Sequence, residues 1–182
     1  MSMRTQETNR LHSARQKGIK KSIEKILKTF DERIAAIDSS IETMIAEHPD
    51  WNEKDKILQS VPGVGAKTSQ VSLSALPELG TLNRQEITAL VGVAPFCRDS
   101  GTKSGSRSIK GGRADVRAAL FMAVFNAIKW NKTFKEFFDW LIARGKKYKV
   151  ALVAAMRKLI AVLNVIIKTK TYWKEQNIPV EK

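Results

Sequence analysis

The stretch YKVALVAAMRKLIAVLNVIIK, residues 148–168, is the part of the sequence that decides the fold class. Its larger apolar side chains recur at three- and four-residue spacing, which is the pattern of one face of an α-helix. They are Leu152, Met156, Leu159, Leu163 and Ile166. Lys and Arg interrupt the run, so its apolar part is too short to span a bilayer. The stretch therefore predicts a core helix of an all-α protein.

Upstream of this helix, the same kind of spacing predicts helices over residues 84–91, 114–130 and 134–143. The sequence has neither a repeat at solenoid spacing nor a clear β-hairpin signal. Glycine and proline separate these segments, and Gly145 is a candidate helix stop. We therefore expect a compact helical domain over residues 50–168, followed by a mobile C-terminal tail over residues 169–182.

The N-terminal segment, residues 1–49, carries a heptad seam on a long helix. Apolar residues alternate at four- and three-residue spacing at Ile23, Leu27, Phe30, Ile34, Ile37, Ile41 and Met44. Such a seam is typical of a coiled coil, and Pro49 is expected to end the helix. A seam of this length needs a partner, which is either another chain or the rest of this one. We expect a coiled-coil connector that joins two copies into a homo-oligomer.

The second segment, DKILQSVPGVGAKTSQVSLSALPELG over residues 55–80, predicts two helices joined by the tight turn Pro62-Gly63-Val64-Gly65. Glycine lets such a turn approach a phosphate closely, and the following helix offers free N–H groups to an anion. Lys67 adds positive charge there. We interpret this segment as a helix-hairpin-helix-like motif in which Gly63, Gly65 and Lys67 bind DNA. The alternative is a plain αα-hairpin whose glycines serve only the turn.

A basic Ser/Gly loop, RDSGTKSGSRSIKGGRADVR, occupies residues 98–117. Its cations recur every three to five residues and are separated by glycines, a pattern suited to holding phosphates through charge and backbone N–H groups. The candidate DNA-binding residues are Arg98, Gly101, Lys103, Arg107, Lys110, Arg113 and Arg117, and the candidate nucleophile is Ser100. A serine nucleophile needs activation, and no histidine lies near this one. A solvated surface loop is the alternative interpretation.

Composition narrows the classes of protein that remain. The chain has 182 residues, a net charge of +14 and a single cysteine, Cys97. Residues 1–49 carry nine Lys or Arg and seven Asp or Glu, whereas residues 50–182 carry twenty-three and eleven. The basic excess therefore lies in the helical domain, as expected of a protein that binds nucleic acid. A lone cysteine excludes an internal disulfide, and no zinc-ligand spacing or cluster of carboxylates for magnesium is evident. We expect a cytoplasmic protein with no membrane partner.

Three quoted motifs together carry a family resemblance: ILQSVPGVGAKTSQ, ALVGVAPFCRDSGTKSGSRSIKGGRADVRAALFMA and KVALVAAMRKLIAVLNVII. The chain resembles the C-terminal transposase domain of the IS110/IS116/IS902 insertion-sequence family, which is similar to the Piv-type DNA invertases. The resemblance covers about residues 55–168. It implies a DNA recombinase in which Ser100, by motif position, joins covalently to DNA. Some members use a guide RNA, so DNA and a guide RNA are the expected partners.

The resemblance also implies an N-terminal RuvC-like domain with a metal site, and the chain begins almost directly in the connector. We therefore expect a truncated copy that binds nucleic acid but does not recombine it alone. Magnesium is expected only in that further domain, and no cofactor is expected in this chain. The alternative function is a non-catalytic nucleic-acid-binding module of helix-hairpin-helix type. A coiled-coil scaffold with incidental charge is a third possibility.

Overall fold

The structure, a computed structural model, describes residues 3–96 and 108–174. These residues form eight helices and one short ribbon, so the predicted all-α class is confirmed. The elements are α1 (Met3–Ser13), α2 (Lys17–Glu47), α3 (Pro49–Gln59), α4 (Ala66–Ala75), α5 (Arg84–Val91), β1 (Pro95–Phe96), β2 (Ser108–Ile109), α6 (Ala114–Trp130), α7 (Lys132–Ala143) and α8 (Tyr148–Thr169). The chain divides into two compact units, Met1–His48 and Pro49–Lys182.

The first unit is a pair of helices in which α1 packs against α2. Arg4 at the start of α1 forms an ion pair with Asp31 of α2, with 2.6 Å between Nε and Oδ1. An eleven-residue helix is about 16 Å long, so α1 runs beside the first half of α2. In that half Ile23 is buried, whereas Ile37 and Met44 farther along the seam are each 59% exposed. The seam is therefore only partly covered within this unit.

Proline at position 49 acts differently from the expectation that it ends the first helix. Helix α2 ends at Glu47, and Pro49 is the first residue of α3. Proline is favoured at a first helical position because its missing N–H would have no partner there and its φ is already helical. The same residue therefore separates two helices by beginning the second one.

In the second unit α8 is the central helix and packs against α3, α5, α6 and α7. Its predicted apolar face is buried, with Met156, Leu159 and Leu163 at 2% exposure or less. Burying one side chain of this size contributes about 1.5–3 kcal/mol. By length and composition α8 could also cross a membrane, but ten of its residues are buried within this unit. It therefore packs as the core helix that the spacing predicts.

Asn164 fixes the segment before α5 onto α8. Its side chain is buried, accepts a hydrogen bond from the N–H of Gly80 at 2.8 Å and donates one to the carbonyl of Leu82 at 2.7 Å. A buried amide satisfied in this way is costly to replace, because its backbone partners would be left unpaired. The beginning of α5 is therefore held beside α8.

The residues that directly follow α8, the first part of the predicted C-terminal tail, contact the helical domain. Lys170 forms an ion pair with Glu53 of α3, and the N–H of Trp173 donates to the hydroxyl of Ser60 at 2.9 Å. The Trp173 ring lies 6.3 Å from the ring of Phe134, between centroids. Residues up to 174 thus pack against the helical domain, and residues 175–182 lie outside the described residues.

Candidate nucleic-acid interface

A short antiparallel ribbon joins the residues before the basic Ser/Gly loop to the first described residues within it. Strand β1 pairs with β2, so that Pro95 lies opposite Ile109 and Phe96 lies opposite Ser108. Two residues per strand are too few for a sequence pattern, which is why the ribbon was not predicted. The pairing brings the two ends of the intervening segment side by side. Five predicted site residues lie on that segment, outside the described residues: Arg98, Ser100, Gly101, Lys103 and Arg107.

Next to the ribbon, the backbone at Gly92 is in direct contact with the backbone at Gly111 and Gly112. Gly92 ends α5 in the left-handed conformation with φ of 77°. A Cβ added to Gly112 would lie 2.5 Å from the Gly92 Cα, and one added to Gly92 would lie 2.6 Å from an Arg117 nitrogen. Only residues without a side chain allow such an approach. The end of α5 therefore forms a fixed base for the loop.

Arg113, predicted to bind a phosphate, has protein partners at both terminal nitrogens of its guanidinium. It forms a two-pronged ion pair with Glu78, each N–O distance being 2.6 Å. The same side chain donates to the carbonyl of Ala75, the last residue of α4, at 2.6 Å. These hydrogen bonds from Arg113 lower the pKa of Glu78, and those to Glu78 raise the pKa of Arg113.

Arg117 of α6 also donates hydrogen bonds to backbone carbonyls, here at the end of α5. Its guanidinium donates to the carbonyl of Gly111 and to the carbonyl of Val91, the last residue of α5, at 3.4 Å. Two arginines at the start of α6 are unfavourable to the dipole of that helix. Arg113 and Arg117 nevertheless point to the C-terminal ends of α4 and α5, where a helix dipole favours a cation. Their location is thus explained without a bound anion, and their predicted DNA contact remains a prediction.

Lys110 differs from these two arginines because its side chain is exposed, directly after β2.

Glu78 is the residue at the base of the Ser/Gly loop that the sequence did not reveal. It lies 35 positions before its partner Arg113, and nothing in its local sequence distinguishes it from a solvated carboxylate. Only the folded chain brings the two together.

The two helices and the tight turn between them are α3, residues 60–65 and α4, and a helix-hairpin-helix role for them remains a prediction. Ser69 of α4 donates to the carboxylate of Asp55 in α3 at 2.5 Å, which holds the two helices together. Gly63 has φ of 103°, and a Cβ there would lie 2.6 Å from the Ala127 backbone in α6. Gly65 has an ordinary φ of −98°, and a Cβ there would meet nothing within 4 Å. Gly63 therefore faces the core of the unit, whereas Gly65 faces open space.

The exposed side of the hairpin carries the features that suit an anion. Gly65 begins α4 without a side-chain cap, so the first N–H groups of the helix have no capping side chain from that residue. Gly65 and Lys67 are both exposed. The hairpin turn lies against α6 near Ala127, whereas the loop base lies at the start of α6. Thirteen helical residues separate these points by about 20 Å, so the two predicted phosphate-binding elements are not one pocket.

Within residues 3–96 and 108–174, no group of three or more His, Cys, Asp or Glu side chains could hold a metal ion. The described side chains therefore do not fit a magnesium site.

Comparisons with known proteins agree with the motifs. Residues 55–139 match the model of the Transposase IS116/IS110/IS902 family. The chain is 27% identical over 158 residues to the 43.6 kDa protein of insertion element IS110 from Streptomyces coelicolor, covering 85% of this chain and 38% of that protein. It is 28% identical over 160 residues to the pilin gene-inverting protein of Moraxella bovis, covering 86% and 48%. The pilin gene-inverting protein of Moraxella lacunata is 27% identical to it over 160 residues, covering 86% of this chain and 48% of that protein.

The chain thus spans less than half the length of the curated relatives it matches. The resemblance predicted from the three motifs is confirmed.

Proposed function

Because residues 55–139 match the model of the Transposase IS116/IS110/IS902 family, we propose that this chain is the DNA-binding and serine-bearing part of a DNA recombinase. The observation that carries the proposal is the extent of the family match, which includes both the hairpin and the basic Ser/Gly loop. The ribbon and the glycine contact support it, because they hold both ends of the loop on a rigid base. A reacting group on a loop needs such support.

In the proposed reaction the hydroxyl oxygen of Ser100 attacks a DNA phosphorus. A phosphorus–oxygen bond to the serine forms while the bond to a deoxyribose oxygen breaks, and the serine proton leaves so that the released strand ends in a hydroxyl. A hydroxyl from another strand then attacks the phosphoserine and frees the serine. Cations at the loop would stabilise the charge that develops on the phosphate. Lys110 is the exposed candidate among the described residues, and Arg98, Lys103 and Arg107 are the candidates on the loop itself.

A covalent-capture experiment tests the nucleophile. The protein is assayed with whatever further domains its gene encodes, with magnesium, labelled DNA and any guide RNA, and DNA attached to protein is measured after denaturation. Ser100→Ala is expected to remove the adduct and leave DNA affinity nearly unchanged. Ser104→Ala, in the same loop, is the matched control and is expected to retain the adduct. An adduct that persists in Ser100→Ala would show that the nucleophile is another residue.

A second candidate function is a non-catalytic nucleic-acid clamp built on the hairpin. The open backbone at Gly65 and the exposed Lys67 favour it. Phosphate binding of this kind weakens steeply with salt, in proportion to the phosphates neutralised. For the clamp, Ser100→Ala has no effect in any assay, whereas Lys67→Gln weakens binding. Covalent capture therefore separates the two functions.

We further propose that copies of the chain associate through the exposed seam of α2, and that the protein acts in the cytoplasm. The exposed apolar side chains of Ile34, Ile37 and Met44 support self-association, since water-exposed isoleucine and methionine at heptad spacing gain stability when a second helix covers them. A guide RNA is proposed as a partner in addition to DNA. Magnesium, where the reaction needs it, is proposed to bind in a further domain and not to the described residues.

A further inference from the structure

The RKLI motif of α8 contains two adjacent cations whose surroundings differ. The Lys158 ammonium lies 4.1 Å from the centroid of the Phe137 ring, a cation–π contact. The Nε of Arg157, in contrast, is buried without a hydrogen-bond partner among the described residues. The positions three and four residues away on the helix are Val153, Ala154, Ile160 and Ala161. None of those side chains can accept a hydrogen bond.

A second arginine lies close to Arg157. Asn164 holds the start of α5 on α8, and Arg157 lies two helical turns before Asn164 on the same face. Arg84, the first residue of α5, is thereby placed near Arg157. Burial, and secondarily the positive charge of Arg84, lowers the pKa of Arg157. In the part of the chain that the structure describes, no ion pair includes either arginine.

An unpaired, half-buried guanidinium beside a like charge is costly. A bound anion would offset this cost by accepting hydrogen bonds from the Arg157 guanidinium and by neutralising the two charges. From this geometry we propose that Arg84 and Arg157 bind a phosphodiester group of a nucleic acid, at a site separate from the hairpin and the basic loop. This inference rests on the proposed function, in which the chain binds nucleic acid.

The location fits a continuous path for a nucleic-acid strand. Helix α5 begins at Arg84 and ends at the loop base, and its eight residues span about 10 Å. A phosphate at the arginine pair would therefore lie within about three base-pair steps of the base of the Ser/Gly loop. A phosphate oxygen suits the planar guanidinium, which donates two parallel hydrogen bonds. The basic excess of residues 50–182 favours nucleic acid over an acidic protein as the source of the anion.

The test compares Arg157→Met with Lys149→Met, which removes the same charge from an exposed position of the same helix. Affinity is measured by fluorescence anisotropy between 0.15 M and 1 M salt. One probe is a DNA duplex of about 20 base pairs, and the other is a hairpin RNA. One lost phosphate contact lowers duplex affinity about fivefold at 0.15 M salt and reduces the salt slope by about 0.9. Lys149→Met is expected to change affinity less than twofold.

Thermal unfolding of the free proteins distinguishes a binding role of Arg157 from a structural one, because the two roles predict opposite changes in Tm. Removing an unpaired, half-buried charge is expected to leave the Tm of Arg157→Met unchanged or to raise it. A Tm several degrees below that of the wild type would mean that Arg157 has a stabilising protein partner, and it would overturn the proposal.

The binding outcomes separate this inference from the proposed function. If the wild type binds neither probe, both fail. If the wild type binds and Arg157→Met binds equally well, or no worse than Lys149→Met, the arginine site alone is wrong. A loss confined to DNA or to RNA supports the site and identifies which strand supplies the phosphate. If Arg157→Met loses self-association but keeps its nucleic-acid affinity, the Arg157 guanidinium pairs with an acidic side chain of another copy, and the proposal is overturned.

Discussion

Gly63→Ala is expected to destabilise the second unit strongly, although it adds only one methyl group. At φ of 103° an alanine is in a region that residues with a Cβ rarely adopt, which costs about 1–3 kcal/mol. The new Cβ would also lie 2.6 Å from both the nitrogen and the Cα of Ala127. These are backbone atoms in the last turn of the packed helix α6, so relief requires that the turn before α4 and α6 move apart. Overpacking of this kind costs about 1–3 kcal/mol more.

The expected loss for Gly63→Ala is thus about 2–6 kcal/mol in the free energy of unfolding. For a unit of this size, a loss of about 3 kcal/mol lowers the Tm by roughly 10 °C. The assay is urea unfolding followed by circular dichroism, in which the midpoint falls while the m-value stays constant.

Gly65→Ala is the matched control, two positions away in the same turn. Its φ is ordinary and a Cβ there meets nothing within 4 Å. The change is therefore expected to be neutral or to stabilise by about 0.4–1 kcal/mol, because alanine restricts the unfolded chain. The reasoning fails if Gly63→Ala unfolds within about 0.5 kcal/mol of the wild type, or if both variants lose stability equally.

Three further predictions concern binding, pH and assembly. Gly65→Ala should weaken duplex DNA binding, measured by fluorescence anisotropy, while stability is retained, because the added Cβ obstructs close approach of a phosphate. An unchanged affinity would exclude a phosphate contact with the Gly65 backbone. Arg113 lowers the pKa of Glu78, so this pair contributes stability above the ordinary glutamate pKa, and that contribution is lost as pH falls through the lower pKa of the folded protein. Urea midpoints should therefore fall more steeply in acid for the wild type than for Glu78→Gln, and parallel curves would contradict the assignment. Ile37→Glu places a charge on the exposed seam of α2 and should abolish self-association in sedimentation velocity with helicity intact; an unchanged sedimentation coefficient in an associating wild type would exclude that seam as the interface.

The predicted helices show how far local pattern reaches. Residues 84–91 and 114–130 were predicted with the observed bounds, because glycine, proline and apolar spacing act within a few residues of one another. The resemblance to the family rests on three motifs, and residues 55–139 match the family model. In contrast, the ribbon at the loop base is two residues long in each strand and leaves no periodic signal.

The candidate site divides in the same way. The sequence by itself determined that the chain is helical, strongly basic and equipped with a hairpin turn and a Ser/Gly loop. Only the tertiary structure decided which cations already have protein partners. Arg113 is paired with Glu78, 35 positions away, whereas the Nε of Arg157 is buried with no hydrogen-bond acceptor among the described residues. The physical reason is that helix formation depends on neighbours along the chain, whereas the cost of a charge depends on every group that folding brings within a few ångströms.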